Sequence, residues 1–403
     1  MIKKNIKLPI KLNEYQLDLF KKKIYFIFSN ITDFRCVVDG EKTCDEVELY
    51  LTENVDDEIL EKKINKIIET DIKGRRFFPD KVIWKNDGIN QINANKNIYS
   101  ELIRNGYIYE VGEGQVTLGA LFIHLIEYLD KKISNISINE LNAIEYQYPT
   151  LIPVSVIEKS GYYTSFPQLN MFVSCLHNDI DNYIDFQRAY KKNNKLPEDT
   201  LVNYTKGVKY ALPPTMCYHT YNQFEGDLFK KNEHRVYTSK GKSFRYETKY
   251  CKTLERLVDF TIRETVFMGD FDFVIKSREK FMNSMFSLMK NLEITCYCSN
   301  SNDPFFTDEK MNEKIAFQNV LKSKYELRVF IDNDNTIAVG SFNYHHDFIS
   351  KAYDLHYDSE HIRTGCTGIG LERLAYAFVC QHGTNISKWP REVKEYMEKY
   401  YKK

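Results

Sequence analysis

The sequence predicts an α+β fold, a mostly antiparallel sheet flanked by helices, with a small α+β module ahead of it. Three observations point there. A chain of 403 residues is long enough to bury a large core. Residues 205–350 carry a succession of short β-rich runs without the regular strand–helix alternation of a parallel sheet. Apolar residues at helical spacing stand on either side of those runs.

In chain order, IYFIF (24–28), FRCVV (34–38) and EVELYLT (46–52) read as strands, followed by a helix with Leu60, Ile64, Ile67 and Ile68 on one face. The polar, Gly/Asn-containing stretch KNDGINQINAN (85–95) reads as a linker, dividing the chain into a module of residues 1–95 and a larger domain of residues 96–403. In LGALFIHLIEYLDKKI, Leu118, Leu121, Phe122, Leu125 and Leu129 recur with the helical period. FRYET, VDFTIRETV, ELRVFID and TIAVGSFNY then read as strands, and Leu371, Leu374, Ala375 and Phe378 mark the buried face of a closing helix.

Composition narrows the function. Hydrophobic residues at 43% and aromatics at 14%, including 29 tyrosines, suit a globular enzyme or binding protein and exclude a solvated tail. Lys plus Arg equals Asp plus Glu at 56 each, so no global positive field gathers nucleic acid or anionic membrane, and acids and bases also balance within residues 1–95. The first residues lack the apolar core of a signal peptide and no 18-residue apolar run occurs, so the expectation is a soluble, cytoplasmic protein with no membrane partner. Nine irregularly spaced cysteines argue against a disulfide framework.

Three segments could carry chemistry. TGCTGIGLERLAYAF (364–378) places Gly368 and Gly370 in a turn that runs into a helix with Arg373 in its first turn, an arrangement suited to phosphate, although a bare Gly-rich turn with a surface arginine has the same pattern. A dinucleotide fingerprint is excluded, because Arg373 replaces the third glycine. In KSFRYETKYCKTLERLVDFTIRETVFMG (242–269), a strand over FRYET puts Arg245 and Glu247 on one face, a loop carries Arg256, and a second strand aligns Phe260, Ile262, Glu264 and Val266. Glu264 in that apolar row needs a partner, either a salt bridge or a ligand. In LPPTMCYHTYNQFEG (212–226), Cys217 follows a proline pair and is either a small buried hydrophobe or a ligand. His219, His345 and His346 stand on aromatic-rich segments and are not expected to bind metal.

Together these segments resemble a known family. The order F-R-x-E, loop arginine, then G-x-G-x-x-R resembles motifs 2 and 3 of class II aminoacyl-tRNA synthetases, and YPTLIPVSVIEKSGYYTSFPQL (148–169) resembles their motif 1, which implies a homodimer. TIAVGSFNYHHDF (336–348) is similar to the strand lining the amino-acid pocket of the seryl type, so the resemblance implies amino-acid binding by Ser341 and Asn343. Cys217, Glu264 and Cys366 match in position the zinc ligands of a branch shared by methanogen-type seryl synthetases and the truncated amino acid:[carrier protein] ligases. The resemblance further implies ATP binding by Arg245, Glu247, Arg256, Gly368, Gly370 and Arg373, with Arg245 and Arg373 catalytic, and Zn2+ and Mg2+ as metals. A departure is Ala338, where the family carries an acid near the ATP metal.

Residues 1–95 show neither the heptads nor the basic face of a synthetase's RNA-binding domain, and YSELIRNGYIYEVGEG (99–114) and NDPFFTDEKMNEKIAFQNVLKSKYEL (302–327) resemble the ligases. The reading that follows is activation of a small amino acid, glycine, alanine or serine-like, as aminoacyl-adenylate, and transfer to the phosphopantetheine thiol of a carrier protein, with tRNA not expected as a partner. An atypical zinc-dependent seryl-type synthetase charging tRNA, and a non-catalytic paralogue binding nucleotide or a partner protein, are the alternatives.

Overall fold

The computed structural model describes residues 1–73, 81–88, 97–247, 253–301 and 323–401. Its first part is a three-stranded antiparallel sheet with two helices: β1 (Ile2–Leu12), α1 (Glu14–Lys23), β2 (Ile31–Val38), β3 (Cys44–Leu51) and α2 (Asp57–Ile67), in strand order β1-β3-β2. Alternation puts Ile6, Leu8 and Leu12 of β1 and Val47, Leu49 and Leu51 of β3 on the face that packs against Leu60, Ile64 and Ile68. Helix α1 starts at a capping box, in which Asn13 accepts from the Gln16 amide at 2.9 Å and Gln16 accepts from the Asn13 amide at 3.1 Å. Lys23 and Asp71, both buried, form an ion pair inside this core.

The run IYFIF is not a strand. Ile24–Phe26 is a 3-10 turn continuing α1, with Ile24 and Tyr25 buried, because a short apolar run serves a buried helical turn as well as a strand. The strand β4 (Val82–Asn86) pairs with the large sheet, although the reading from sequence counted it with the first module. Of the expected linker, residues 89–95 lie outside the described residues.

The larger part begins with α3 (Ile98–Arg104), the hairpin of β5 (Ile108–Gly112) and β6 (Gln115–Leu118), and α4 (Ala120–Asn135), then β7 (Ile144–Glu145). A small sheet of β8 (Ile152–Pro153), β9 (Met171–Val173) and β10 (Tyr210–Leu212) follows, with α5 (Val154–Lys159), α6 (Tyr162–Ser165) and α7 (Ile180–Asn193) between its strands. After α8 (Cys217–Gln223) come β11 (Arg235–Phe244), β12 (Asp259–Gly269), α9 (Phe271–Asn291), β13 (Cys296–Asn300), β14 (Lys324–Phe330), β15 (Thr336–Tyr344), α10 (Phe348–Ala352), β16 (Arg363–Gly370), α11 (Leu371–His382) and α12 (Arg391–Tyr400).

Eight strands form the main sheet in the order β4-β13-β14-β15-β16-β12-β11-β7, antiparallel except for β7 on β11. Helices α4, α9 and α11 cover one face, where Phe267, Phe342, Ile369, Phe281 and Phe378 join one core. Arg263 points to that side and is held by Asp130 of α4 at 2.7 and 2.9 Å and by Glu145. The opposite face of the central strands carries Glu264, Cys366, Ser341 and Asn343. Among the described residues no helix is long and apolar enough to cross a membrane.

Candidate active site

Register assembles the site. In antiparallel pairing, residues directly opposite share a face. Glu264 of β12 lies opposite Gly368 of β16, which lies opposite Ser341 of β15; one step along, Val266, Cys366 and Asn343 form the second row. Five of the predicted residues thus share one face of three neighbouring strands.

The expected Gly-x-Gly turn is a strand. Gly368 sits within β16 and Gly370 ends it as the N-cap of α11 with ordinary negative φ, because both neighbouring strands pair along its length. Gly368 still has a steric task. A Cβ there would stand 2.9 Å from Ile262 Cδ1 and 3.7 Å from Glu264 Oε1, so the missing side chain keeps the floor beside Glu264 low. Gly368→Ala is expected to cost about 1–3 kcal/mol in thermal unfolding, through overpacking against Ile262. Wild-type thermal stability in that variant would refute the close fit.

Cys217 enters from α8, just after the Pro213–Pro214 pair. The turn before it aims three donors at one oxygen: Thr215 Oγ1 at 2.7 Å, the Met216 amide at 2.8 Å and the Cys217 amide at 2.7 Å, all to Glu264 Oε2. Those three bonds fix the carboxylate on one side. Cys217, Glu264 and Cys366 each offer a ligand atom within 4.8 Å of the others, and their residues are only 6%, 3% and 3% exposed.

Electrostatics show what the pocket lacks. Burial, and then the Cys366 sulfur, push the Glu264 carboxyl up to about 8. The contact with Cys217 holds Cys366 well below the usual thiol range, against burial and with help from His345 and Asn343, while Cys217 is raised by the same contact and by burial. Three acidic groups thus crowd a dry pocket that cannot hold all their negative charge alone. Two thiols and a carboxylate oxygen are a donor set that suits zinc, and three protein ligands leave one tetrahedral position open. The residues present fit that ion.

His345 lies just past β15, on the same face as Ser341 and Asn343, with Nε2 3.6 Å from Cys366 Sγ. Asn343 Nδ2 donates to the same sulfur at 3.5 Å and to Ser341 Oγ at 3.3 Å. His219, on α8, stacks on Tyr148 at 5.3 Å, and His346 contacts Ser323 at 3.0 Å; neither joins the donor set.

The arginines gather at the other end of the same strands, though not as a strand over FRYET would place them. β11 ends at Phe244, and residues 245–247 form an irregular turn in which the Arg245 amide still bonds Val258 O at 3.0 Å while the Tyr246 amide turns away to Leu169 O at 3.1 Å. Arg245 nevertheless rests on the Phe260 ring, 5.4 Å from its centroid, with Nε donating to Pro214 O at 3.2 Å. Arg256 forms an ion pair with Glu247. Arg373, one turn into α11, donates from Nε to Glu255 O at 2.5 Å and from Nη1 to Ala338 O at 3.3 Å. Burial raises the Glu247 carboxyl, but Arg256, Arg373 and Arg245 together hold it below the ordinary carboxylate range. Burial pushes Arg373 down to about 10, opposed by Glu247, which leaves it charged at neutral pH. Three arginines around one carboxylate leave excess positive charge, as an anion site requires.

Sequence reasoning missed a charged row on β14. Glu326 lies opposite Ser341 and Lys324 opposite Asn343, so both join the site face. Burial raises Glu326, yet Lys324 at 3.3 Å and Arg328 at 3.2 Å hold it low, and its charge also acts on Arg373. The alternation of KYELRVF, charged against apolar, carried that signal. Residues 302–322 of the ligase-like stretch and residues 248–252 of the motif 2 loop lie outside the described residues.

The fold is that of class II aminoacyl-tRNA synthetases. The M. kandleri SerRS, solved in complex with A. aeolicus tRNASec, superposes with a TM-score of 0.73 at 19% identity, covering 99% of this chain and 78% of that one. The Pyrococcus horikoshii seryl-tRNA synthetase complexed with ATP gives 0.59 at 14% identity over 85% and 78%. In sequence the chain is similar to the Type-2 serine--tRNA ligases of methanogens. It is 25% identical over 324 residues to that of Methanococcus aeolicus, covering 79% of this chain and 62% of the relative, and 23% identical over 397 residues to that of Methanococcus maripaludis strain C7, covering 96% and 74%. The chain thus spans about three fifths of the length of several relatives, 62% and 56% for two of them. No protein-family model matches it.

These likenesses overturn the carrier-protein reading and the expectation that tRNA is not a partner. The relatives are serine–tRNA ligases, and the neighbour covering 99% of the chain holds a tRNA. The balanced charge of the N-terminal module pointed away from RNA, whereas the matches covering 96% and 99% of the chain take in that module together with the large sheet.

Proposed function

We propose that this chain is a zinc-dependent synthetase of the seryl type, which activates an amino acid with ATP and charges tRNA. The observation that carries the reading is that the Cys217–Glu264–Cys366 donor set and Arg245, which rests on Phe260 of the strand that bears Glu264, belong to one region, with Arg256 and Arg373 joining Arg245 around Glu247. From Cys366 to Gly370 the strand runs four residues, about 13 Å, the span of an amino acid placed against the phosphates of ATP.

A bound zinc would supply a Lewis-acidic position for a free α-amino group, with Cys217, Glu264 and Cys366 as its ligands. Ser341 and Asn343, fixed by their mutual hydrogen bond, border the amino acid, and the low floor at Gly368 lets its carboxylate approach the α-phosphate. A carboxylate oxygen attacks the α-phosphorus, the bond to the bridging oxygen breaks, and pyrophosphate leaves with that electron pair. Arg245 neutralises the α-phosphate, and Arg256 and Arg373 hold the departing pyrophosphate. Such a reaction needs little covalent work from the protein, so positioning and charge dominate. Mg2+ would accompany ATP. A terminal hydroxyl of tRNA then attacks the adenylate carbonyl and AMP leaves. The likeness of the 148–169 segment to motif 1 supports a homodimer.

The test offers serine, glycine and alanine with ATP, first in pyrophosphate exchange and then with bulk tRNA and holo carrier protein as parallel acceptors. Serine-dependent exchange and seryl-tRNA are expected, with no thioester on the carrier. Thioester without charged tRNA would refute the acceptor. Absence of exchange with all three amino acids would refute the activation step.

A further inference from the structure

We infer that His345 is a positioning residue for Cys366, donating an Nε2–H hydrogen bond to its sulfur and setting that ligand for the metal. The inference rests on the zinc reading above.

The placement follows from the sheet. Ser341, Asn343 and His345 alternate onto one face, and the ladder continues one residue beyond β15, where the His345 amide bonds Thr364 O at 2.9 Å. The ring is pinned by its other nitrogen: Nδ1 lies 3.3 Å from Tyr221 Oη and 3.2 Å from Thr364 Oγ1, and the Tyr221 ring meets the imidazole edge-on at 6.1 Å. That leaves Nε2 facing Cys366 Sγ at 3.6 Å.

Chemistry selects the tautomer. A cysteine that ligates a metal is a thiolate and can only accept, so the nitrogen beside it must carry the hydrogen. Either hydroxyl at Nδ1, Tyr221 Oη or Thr364 Oγ1, can donate to the single lone pair of the bare nitrogen and satisfy it. Asn343 Nδ2, at 3.5 Å, is a second donor to the same sulfur. Two directed N–H groups orient the Cys366 lone pairs and remove electron density from the sulfur. Partners of this kind, outside the ligand set itself, typically change metal affinity about 10- to 100-fold when removed.

The experiment compares the full-length wild type with His345→Phe and His345→Gln, using Zn2+ in a chelator competition and Co2+ as the spectroscopic probe. His345→Phe is expected to weaken zinc binding about 10- to 100-fold and to move the sulfur-to-cobalt charge-transfer band to longer wavelength, since a thiolate without its donor is easier to oxidise. His345→Gln, which keeps an N–H, is expected to recover most of both. In the wild-type zinc protein, 15N shifts of the His345 ring are expected to report an Nε2–H tautomer, a readout that needs no variant to fold. Unchanged affinity and spectrum in His345→Phe, equal losses in both variants, or an Nδ1–H tautomer would each overturn the inference. A wild type that takes up no zinc would instead overturn the metal reading beneath it.

Discussion

Cys366→Ala is expected to lower serine-dependent ATP/pyrophosphate exchange by at least about 100-fold, the scale of loss when a reacting group is displaced by an ångström or so. The sulfur it removes is buried, lies within 4.8 Å of the other two donors, and is the meeting point of Cys217, Asn343 and His345. Without it two donors would remain, too few to hold a zinc ion against water, and an amino acid would lose the position that aims its carboxylate. Chelation of the wild type is expected to give the same loss, restored by added Zn2+, and the variant is not expected to recover. Because alanine is smaller than cysteine and apolar, the fold is expected to survive, which thermal unfolding checks. Exchange at the wild-type rate in Cys366→Ala would dispose of the metal assignment.

Arg373→Ala is expected to lower kcat for exchange by about 1000-fold, comparable to loss of a charge-neutralising arginine in other phosphoryl-group reactions. Its guanidinium is held from two sides, by Glu255 O at 2.5 Å and Ala338 O at 3.3 Å, so it is preset before ATP arrives. Lysine keeps the charge but loses the planar fork that meets these carbonyls and a phosphate together, so Arg373→Lys is expected to recover little. The change also withdraws one of three cations around Glu247, whose carboxyl is expected to titrate higher in the variant. Steady-state exchange with varied ATP separates the loss in kcat from a change in KM. A normal kcat in Arg373→Ala would assign the outer phosphates to other groups.

The carrier-protein reading rested on residues 1–95, which lack heptads and a basic face, and on the likeness of residues 99–114 and 302–327 to the ligases. Charge balance is a property of composition, while contact with RNA depends on which side chains one surface presents. The first strand, Ile2–Leu12, escapes the reading from sequence, which places its first β-rich run at residue 24, and no single run discloses which other segments it joins.

The sequence by itself determined the candidates for chemistry, two thiols, a carboxylate and three arginines, through their likeness to a family pattern, since each local pattern alone also admits a plainer use as a buried thiol, a salt bridge or a surface arginine. It also determined the class of fold, because short β-rich runs without alternating helices admit few arrangements. Only the tertiary structure decided that Gly368 lies in a strand and not a turn, that β11 ends before Arg245, and that Glu326 and His345 join the site. Those facts depend on register. Which residue of β12 faces which of β16 is set by pairing between segments about a hundred residues apart, and local periodicity holds no record of it.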